Sequence, residues 1–360
     1  MKLVANIQLK PNERQSKSLL MTLECSNQAC NYISQKGFEA KIIGQYALHK
    51  MVYKETRNTF GLAAQIVIRC IAKVADAYKV SKDKQATFKK YAAQPYDDRI
   101  FRFCNANTVS IWTLNGRQKI PFVCGDRQRQ LLQYRKGEVD LMYIRGKWYL
   151  ACVCDVPDPE EISPSNVLGI DFGVINIAFD SLGNSYSGEA VEKVRQSFSK
   201  RRTCLQQIGT KASKRKLKKL SGKEARFRKH TNHCISKEIV AGAERLSFAI
   251  AIENLTGIHK RIKAPRAQRN RLHGWSFAQL RTFVTYKSKM CGIPVIAINP
   301  KNTSRTCPEC GSIDKRNRKT QAIFSCTSCG YTDAADFVSA RNIRALGAAC
   351  KPALCSQPLV

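Results

Sequence analysis

Apolar and polar positions along this chain change period several times, and each change marks an element. Residues 1–10 alternate as a strand does, whereas Pro11-Asn12-Glu13 opens a pattern in which Leu19, Leu20, Leu23 and Ile33 recur at helical spacing. A second helical stripe, from about 61 to 80, carries Val67, Ile71, Val74 and Tyr78 on one face. Both stripes read as core-facing surfaces of a small helical module. From about 97 to 155 the period falls to two: Phe101 and Phe103 alternate with Ile100, Arg102 and Cys104. The run from Val109 to Leu114 meets the turn pair Asn115-Gly116, and residues 142–150 read as a hairpin. These signals predict a β-rich domain closing as a barrel, with strand 1–10 joining it and the helical module inserted between. Pro157, Pro159 and Pro164 then mark a linker.

Beyond the linker, the apolar strand that starts at Val167 breaks at Asp171 and Gly173 and resumes as a second strand through Phe179. A carboxylate ending a buried strand is costly to desolvate unless a cation or a hydrogen-bond network compensates it. Glu253 stands in the same setting, after the apolar run of residues 248–252. Asp336 opens an Ala-rich helical pattern and so sits at a helix start, with Asp333 as its nearest competitor. A single such acid reads equally well as a cap or turn residue. Two strand-end acids and one helix acid together suit a ribonuclease H-like nuclease, whose hard oxygen ligands converge on two Mg²⁺ or Mn²⁺ ions roughly 4 Å apart. In that chemistry Asp171 bridges both ions, Glu253 holds one, and Asp336 holds the other beside the attacking water. A helix over residues 275–290, with Phe277, Leu280, Phe283 and Tyr286, is expected to pack back on the sheet, followed by a strand over 293–298.

Charge narrows the partner. The 360 residues carry 61 Lys and Arg against 27 Asp and Glu, a formal +34 that a polyanion must balance. Residues 193–230 hold fifteen Lys or Arg and one acid, Glu224, too lopsided for pairing within a helix. Lys214, Arg215, Lys216, Lys218 and Lys219 are therefore read as phosphate-binding, as are Lys260, Arg261, Lys263, Arg266, Arg269 and Arg271 in an acid-free run just past Glu253. No apolar run approaches the roughly 20 residues of a spanning helix, and the opening residues begin a strand instead of a signal peptide, so no membrane partner and a cytoplasmic place are expected.

Of sixteen cysteines, twelve are scattered, and Cys70, Cys152 and Cys154 sit in apolar runs where a reduced thiol packs as a small hydrophobe. The other four, Cys307, Cys310, Cys326 and Cys329, are spaced C-x2-C-x15-C-x2-C, with Gly311 and Gly330 directly after each pair. That spacing predicts a tetrahedral Zn²⁺ site with no open position, hence a structural one.

Several motifs taken in order resemble one family. They are Gly169-Ile-Asp171-Phe-Gly173, Asn232-His233 with Lys237, Ile252-Glu253-Asn254-Leu255, Trp275-Ser-Phe277 with Tyr286-Lys287, Thr303-Ser304 leading to Cys307-Pro308-Glu-Cys310-Gly311, and Asp336 with Ala340-Arg-Asn342-Ile343. The C-terminal half that holds them resembles TnpB, the RNA-guided nuclease of certain insertion sequences, related to the type V CRISPR effectors. The resemblance implies an α+β multidomain chain: a wedge β-barrel with an inserted helical module and an RNase H-like RuvC domain, a mixed sheet with helices, split by a zinc ribbon. It assigns residues 1–12 and 91–163 to the barrel, 13–90 to the helical recognition module, 164–300 and 333–347 to the nuclease, 301–332 to the zinc-bearing target-nucleic-acid-binding module, and 348–360 to a flexible tail. It also implies a guide RNA derived from the transposon end, double-stranded DNA as target, a prokaryotic, nucleoid-associated setting, and Asp171, Glu253 and Asp336 as the metal-binding acids. One departure is that Val338 stands where the family often has Asn, which puts a hydrogen bond near Asp336 in question. Oligomeric state stays open. Two rival readings are a nuclease-dead RNA-guided regulator on the same scaffold and a basic zinc-ribbon RNA-binding protein without enzyme activity.

Overall fold

The computed structural model describes residues 1–173, 175–254 and 277–350. Its chain divides into two units, Met1–Pro157 and Asp158–Val360. In the first unit β1 (Lys2–Leu9) is central, paired antiparallel with β7 (Lys147–Asp155) and β5 (Gly116–Val123). The full order is β2 (Gln94–Tyr96), β6 (Arg135–Ile144), β7, β1, β5, β4 (Thr108–Thr113), β3 (Phe101–Asn105), every neighbouring pair antiparallel. The two edge strands are consecutive in sequence, joined only by residues 97–100, so the sheet must curl until its edges approach. The Tyr96 hydroxyl donates across that gap to the Trp112 carbonyl at 3.2 Å, and a nearly closed barrel results.

Arg145 and Gly146 both take positive φ, the left-handed pair that a two-residue hairpin between β6 and β7 needs. In the other hairpin Thr113 pairs with Gly116, which places the turn on Leu114-Asn115, one residue earlier than the Asn-Gly signal suggests.

Three helices fill the interval between β1 and β2. Asn12 caps α1 (Glu13–Glu39) by accepting from the Gln15 amide, and the Gln15 side chain accepts from the Asn12 amide in return, a capping box. The helix α3 (Ala64–Val80) buries the predicted stripe of Val67, Ile71, Val74 and Tyr78. Between them α2 (Gln45–Phe60) buries only Leu48, Val52 and Thr56, too few positions to announce it in the apolar pattern. A short α4 (Asp126–Leu132) links β5 to β6.

The second unit is built on a five-stranded sheet in the order β10 (Ser185–Ser187), β9 (Asn176–Asp180), β8 (Asn166–Asp171), β11 (Phe248–Glu253), β12 (Val295–Ile298). β8, β11 and β12 are mutually parallel, β9 pairs antiparallel with β8, and β10 pairs antiparallel with β9, as in an RNase H-like sheet. Even-numbered residues of the central strands, Leu168, Ile170, Ile250 and Ile252, pack with Ile239 of α7 (Lys223–Leu246) and Val284 of α8 (Phe277–Met290). Odd-numbered residues, Val167, Ala249 and Ala251, pack with Ile343 of α9 (Ala335–Ala349). Burial on both faces is why β8 and β11 read as continuous apolar runs. The helix α8 packs on α7 and, through Leu280 and Val284, on the core of the sheet, as its apolar pattern predicts. His233 stacks on Phe283 with centroids 3.9 Å apart, and Lys287 donates to the His233 carbonyl at 2.6 Å and to the Ser236 hydroxyl at 2.7 Å. These contacts hold α8 to its neighbour. The basic interval becomes α5 (Glu189–Ile208), α6 (Lys211–Leu220) and the first half of α7. Among the described residues, no helix is long and apolar enough to cross a membrane.

Candidate active site and metal centre

The parallel register sets Ile170 beside Ile252, so the next residues, Asp171 and Glu253, leave adjacent strands at the same edge. Both are odd-numbered and share the parity of Val167, Ala249 and Ala251, which places them on the face covered by α9. That helix delivers Asp336 in its first turn. Small residues let it come close: a Cβ on Gly169 would overlap the Ala340 carbonyl, and one on Gly347 would press on Ala251 and Val167. From Gly347 to Ala340 the helix runs from Val167 toward Gly169, so its N-terminus arrives where β8 ends.

Crowding three carboxylates has an electrostatic cost. Desolvation, then the charges of Glu253 and Asp336, push the Asp171 carboxyl up to about 7, opposed only by Arg318 and the Phe172 amide. Burial raises Glu253 as well, and the Thr303 hydroxyl counters it by donating to Oε1 at 2.6 Å. Asp336 accepts from Asn176 Nδ2 at 2.9 Å on Oδ2, and the Arg318 guanidinium lies 3.7 Å from Oδ1. Asp333 stays apart, accepting from the Tyr331 hydroxyl and the Ala334 amide, each at 2.7 Å. The buried acid Asp180 is likewise consumed locally, by the Leu182 and Asn184 amides and the Asn184 side chain. Val338 is fully buried among Cys307, Phe324, Cys326 and Ala335, so it serves packing, and an amide reaches Asp336 from Asn176 instead.

The four predicted cysteines converge. Their sulfurs all lie within 4.8 Å of one another, with Cys307 to Cys329 and Cys310 to Cys326 each 3.6 Å apart. Four thiolates about 2.3 Å from one tetrahedral ion would stand roughly 3.8 Å apart, so the cage fits Zn²⁺. The Cys329 and Ser328 amides point at Cys326 Sγ, each at 3.4 Å, and hold that thiol down at about 6. Gly311 and Gly330 take positive φ after each pair, the conformation these knuckle turns require. A short hairpin of β13 (Ile323–Ser325) and β14 (Thr332–Ala334) completes the module. Asn317, wholly buried, laces it: Nδ2 donates to the Arg305 and Ser312 carbonyls, and Oδ1 accepts from the Thr327 amide and hydroxyl.

Among the described residues, the thiol cage is the one group of three or more His, Cys, Asp or Glu whose ligand atoms all fall within 4.8 Å. On α6, Lys214, Arg215, Lys216, Lys218 and Lys219 are all exposed, while Ser213 is buried and Leu217 and Leu220 are partly buried. None of the five enters an ion pair among the described residues, in contrast to Arg202, which binds Glu224 at 2.5 Å. Lys260, Arg261, Lys263, Arg266, Arg269 and Arg271 lie outside the described residues, as do residues 351–360 of the expected tail. Sequence reasoning missed the roles of Thr303, Asn176, Arg318 and Asn317. Thr303 alone carries a signal, through the motif ahead of Cys307.

Two family models match the chain: "Probable transposase" over residues 151–256 and "Cas12f1-like, TNB domain" over 277–343. A Cas12f1 endodeoxyribonuclease of Syntrophomonas palmitatica is 33% identical over 61% of this chain and 47% of its own length. One from Sulfoacidibacillus thermotolerans is 34% identical over 55% of this chain and 50% of its own. The chain thus spans about half the length of these two relatives. A TnpB-like protein of Methanocaldococcus jannaschii is 30% identical over 52% of this chain and 72% of its own length. Among solved structures, a Cas12f1–sgRNA–target DNA complex shares the fold with TM-score 0.66 at 18% identity, over 92% of this chain and 83% of that one. CasPhi-2 bound to crRNA does so with TM-score 0.56 at 9% identity, over 100% and 99%. Carrying both family regions in order, and matching most of the archaeal protein, the chain belongs to the TnpB-like family that includes Cas12f1.

Proposed function

We propose that the chain is an RNA-guided DNA endonuclease, with Asp171, Glu253 and Asp336 as its catalytic acids. The observation that carries this reading is their convergence, from two parallel strand ends and one helix start, on one edge of an RNase H-like sheet. Their electrostatic strain fits a cation site, because a divalent ion offsets the repulsion that helps drive Asp171 up to about 7. Asp171, Glu253 and Asp336 would hold Mg²⁺ or Mn²⁺, which supplies activation of water and charge stabilisation at the leaving 3′ oxygen. Asp171, whose carboxyl feels the charge of both other acids, is the one to be shared. Arg318 brings a positive charge beside the acids, suited to a phosphate oxygen of the strand being cut. The exposed cations of α6 grip phosphate without regard to sequence, and Zn²⁺ in the thiol cage holds its module folded.

Specificity is assigned to a guide RNA from the transposon end, base pairing reading the target strand while protein reads duplex shape and a short flanking motif in DNA. The names of the relatives and the RNA and DNA in the solved Cas12f1 complex support it. The setting is a prokaryotic cytoplasm, at the nucleoid. The test is incubation of the chain with its copurifying RNA and a matched duplex in Mg²⁺. Cleavage that disappears in Asp171→Ala supports the enzyme, whereas matched binding without cleavage by the wild type transfers the case to a nuclease-dead regulator. Random copurifying RNA and no matched binding point to a plain RNA-binding protein.

A further inference from the structure

The acids differ in what holds them. Glu253 accepts one short hydrogen bond from a neutral side chain, Thr303, and Asp336 accepts one from Asn176. Asp171 accepts no side-chain hydrogen bond among the described residues, only the Phe172 amide. Both donors are themselves fixed from outside.

Thr303 is 4% exposed, and its hydroxyl also faces the Pro300 carbonyl at 3.2 Å, a longer and uncharged partner. A hydroxyl has one proton to give, and the 2.6 Å carboxylate contact claims it. Its backbone is gripped from α9: the buried Asn342 donates to the Thr303 and Thr306 carbonyls, both at 2.8 Å. The helix that brings Asp336 therefore also sets the hydroxyl that holds Glu253. On the other side, Asn176 opens β9, and its carbonyl sits so close to Gly173 that a Cβ there would overlap it. From that position the Asn176 side-chain amide donates to Oδ2 of Asp336 at 2.9 Å.

We infer that Thr303 and Asn176 are positioning residues, each occupying one oxygen of an outer acid and leaving the other for the cations, with Arg318 3.7 Å from that second oxygen of Asp336, Oδ1, while Asp171 is left to be shared. This rests on the proposed cation-binding role of the three acids. A carboxylate otherwise rotates about its last torsion and must be ordered when the ion binds. A donor fixed beforehand removes that cost, as outer partners do for metal ligands generally.

The test is Mn²⁺ titration of the purified full chain, following the free-ion electron paramagnetic resonance signal, with an unfolding midpoint measured in parallel. Thr303→Val and Asn176→Leu should each weaken Mn²⁺ binding by about 10- to 100-fold, the range seen when outer partners of ligands are removed. Thr303→Ser, which keeps the hydroxyl, should restore near wild-type affinity. Equal loss in Thr303→Ser and Thr303→Val would overturn the hydroxyl's role. Wild-type Mn²⁺ affinity in Thr303→Val, with or without a lowered midpoint, would show that the contact is only structural. Asp171→Ala distinguishes failure of the site from failure of its positioning. If it binds Mn²⁺ as the wild type does, the acid-cluster reading itself fails; if it is weakened while Thr303→Val is not, only this inference falls.

Discussion

Gly169 on β8 lies directly beneath Ala340 on α9, so close that any side chain at 169 would overlap the Ala340 carbonyl and the Arg344 amide. Both obstacles are backbone and neither can step aside. Gly169→Ala should therefore lift the helix, cost roughly 1–3 kcal/mol of stability as overpacking does, and draw Asp336 away from Asp171. Denaturant unfolding together with Mn²⁺ titration checks both effects. Gly242→Ala, inside α7 with open space around its would-be Cβ, is the control and should gain about 0.5–1 kcal/mol.

Zinc is expected to be structural. Cys307→Ser or Cys329→Ser should lose about one Zn²⁺ per chain by metal analysis, since ligation supplies much of a small module's folding energy. Asn317→Ala should keep the ligands yet release zinc to a chelator faster, because it strips four hydrogen bonds that tie the two knuckles together. At about 1 kcal/mol each before any desolvation penalty, those bonds make a destabilisation of at least roughly 2 kcal/mol the expected outcome.

A raised carboxyl gives stability a definite slope with pH. The Asp171 carboxyl sits at about 7 in the folded chain, against an ordinary value of about 3.9 unfolded, so between those limits the folded state binds the extra proton. Metal-free protein should lose stability as pH rises from about 4 to about 7, and regain it when Mg²⁺ replaces the proton. Melting midpoints across that window, with and without Mg²⁺, are the measurement. Asp171→Asn should flatten its own share of the slope, and an unchanged slope would mean that the cluster is not strained.

Neutralising Lys214, Arg215, Lys216, Lys218 and Lys219 together should weaken binding to matched and unmatched nucleic acid alike. It should also reduce the salt dependence by as much as about one unit of log–log slope for each phosphate no longer gripped. Binding measured across a salt series decides whether this exposed face of α6 touches phosphate or only solvent.

What was legible in the sequence follows from how local its cause is. Asp171 and Glu253 could be found because a buried parallel strand needs an unbroken apolar run, and an acid at its end stands out. The thiol cage showed itself through spacing alone, each pair lying within one knuckle. The geometry also favours Asp336 over Asp333, which is taken up by the Tyr331 hydroxyl and the Ala334 amide of its own hairpin. What could not be read depends on distant pairings: Thr303 meets Glu253 across 50 residues and Asn176 meets Asp336 across 160, with no period to betray either. Asn317 resembles any loop Asn until its four bonds are seen, and α2 hides because little of it is buried. The departure at Val338 reads as a missing hydrogen bond, but the position belongs to the apolar contact between α9 and the cysteine module.

The central claim, that Asp171, Glu253 and Asp336 form one cation-dependent nuclease site, is tested most directly by single-turnover cleavage of a guide-matched duplex in Mg²⁺, with target binding measured on the same proteins. Asp171→Ala, Glu253→Gln and Asp336→Asn should each abolish cleavage and leave binding intact or slightly tighter, since each removes negative charge from a basic protein. Asp333→Asn should cut as the wild type does. Cleavage that survives in Asp336→Asn and is lost in Asp333→Asn would contradict the assignment of the third acid, and cleavage that survives in Asp171→Ala would contradict the site itself.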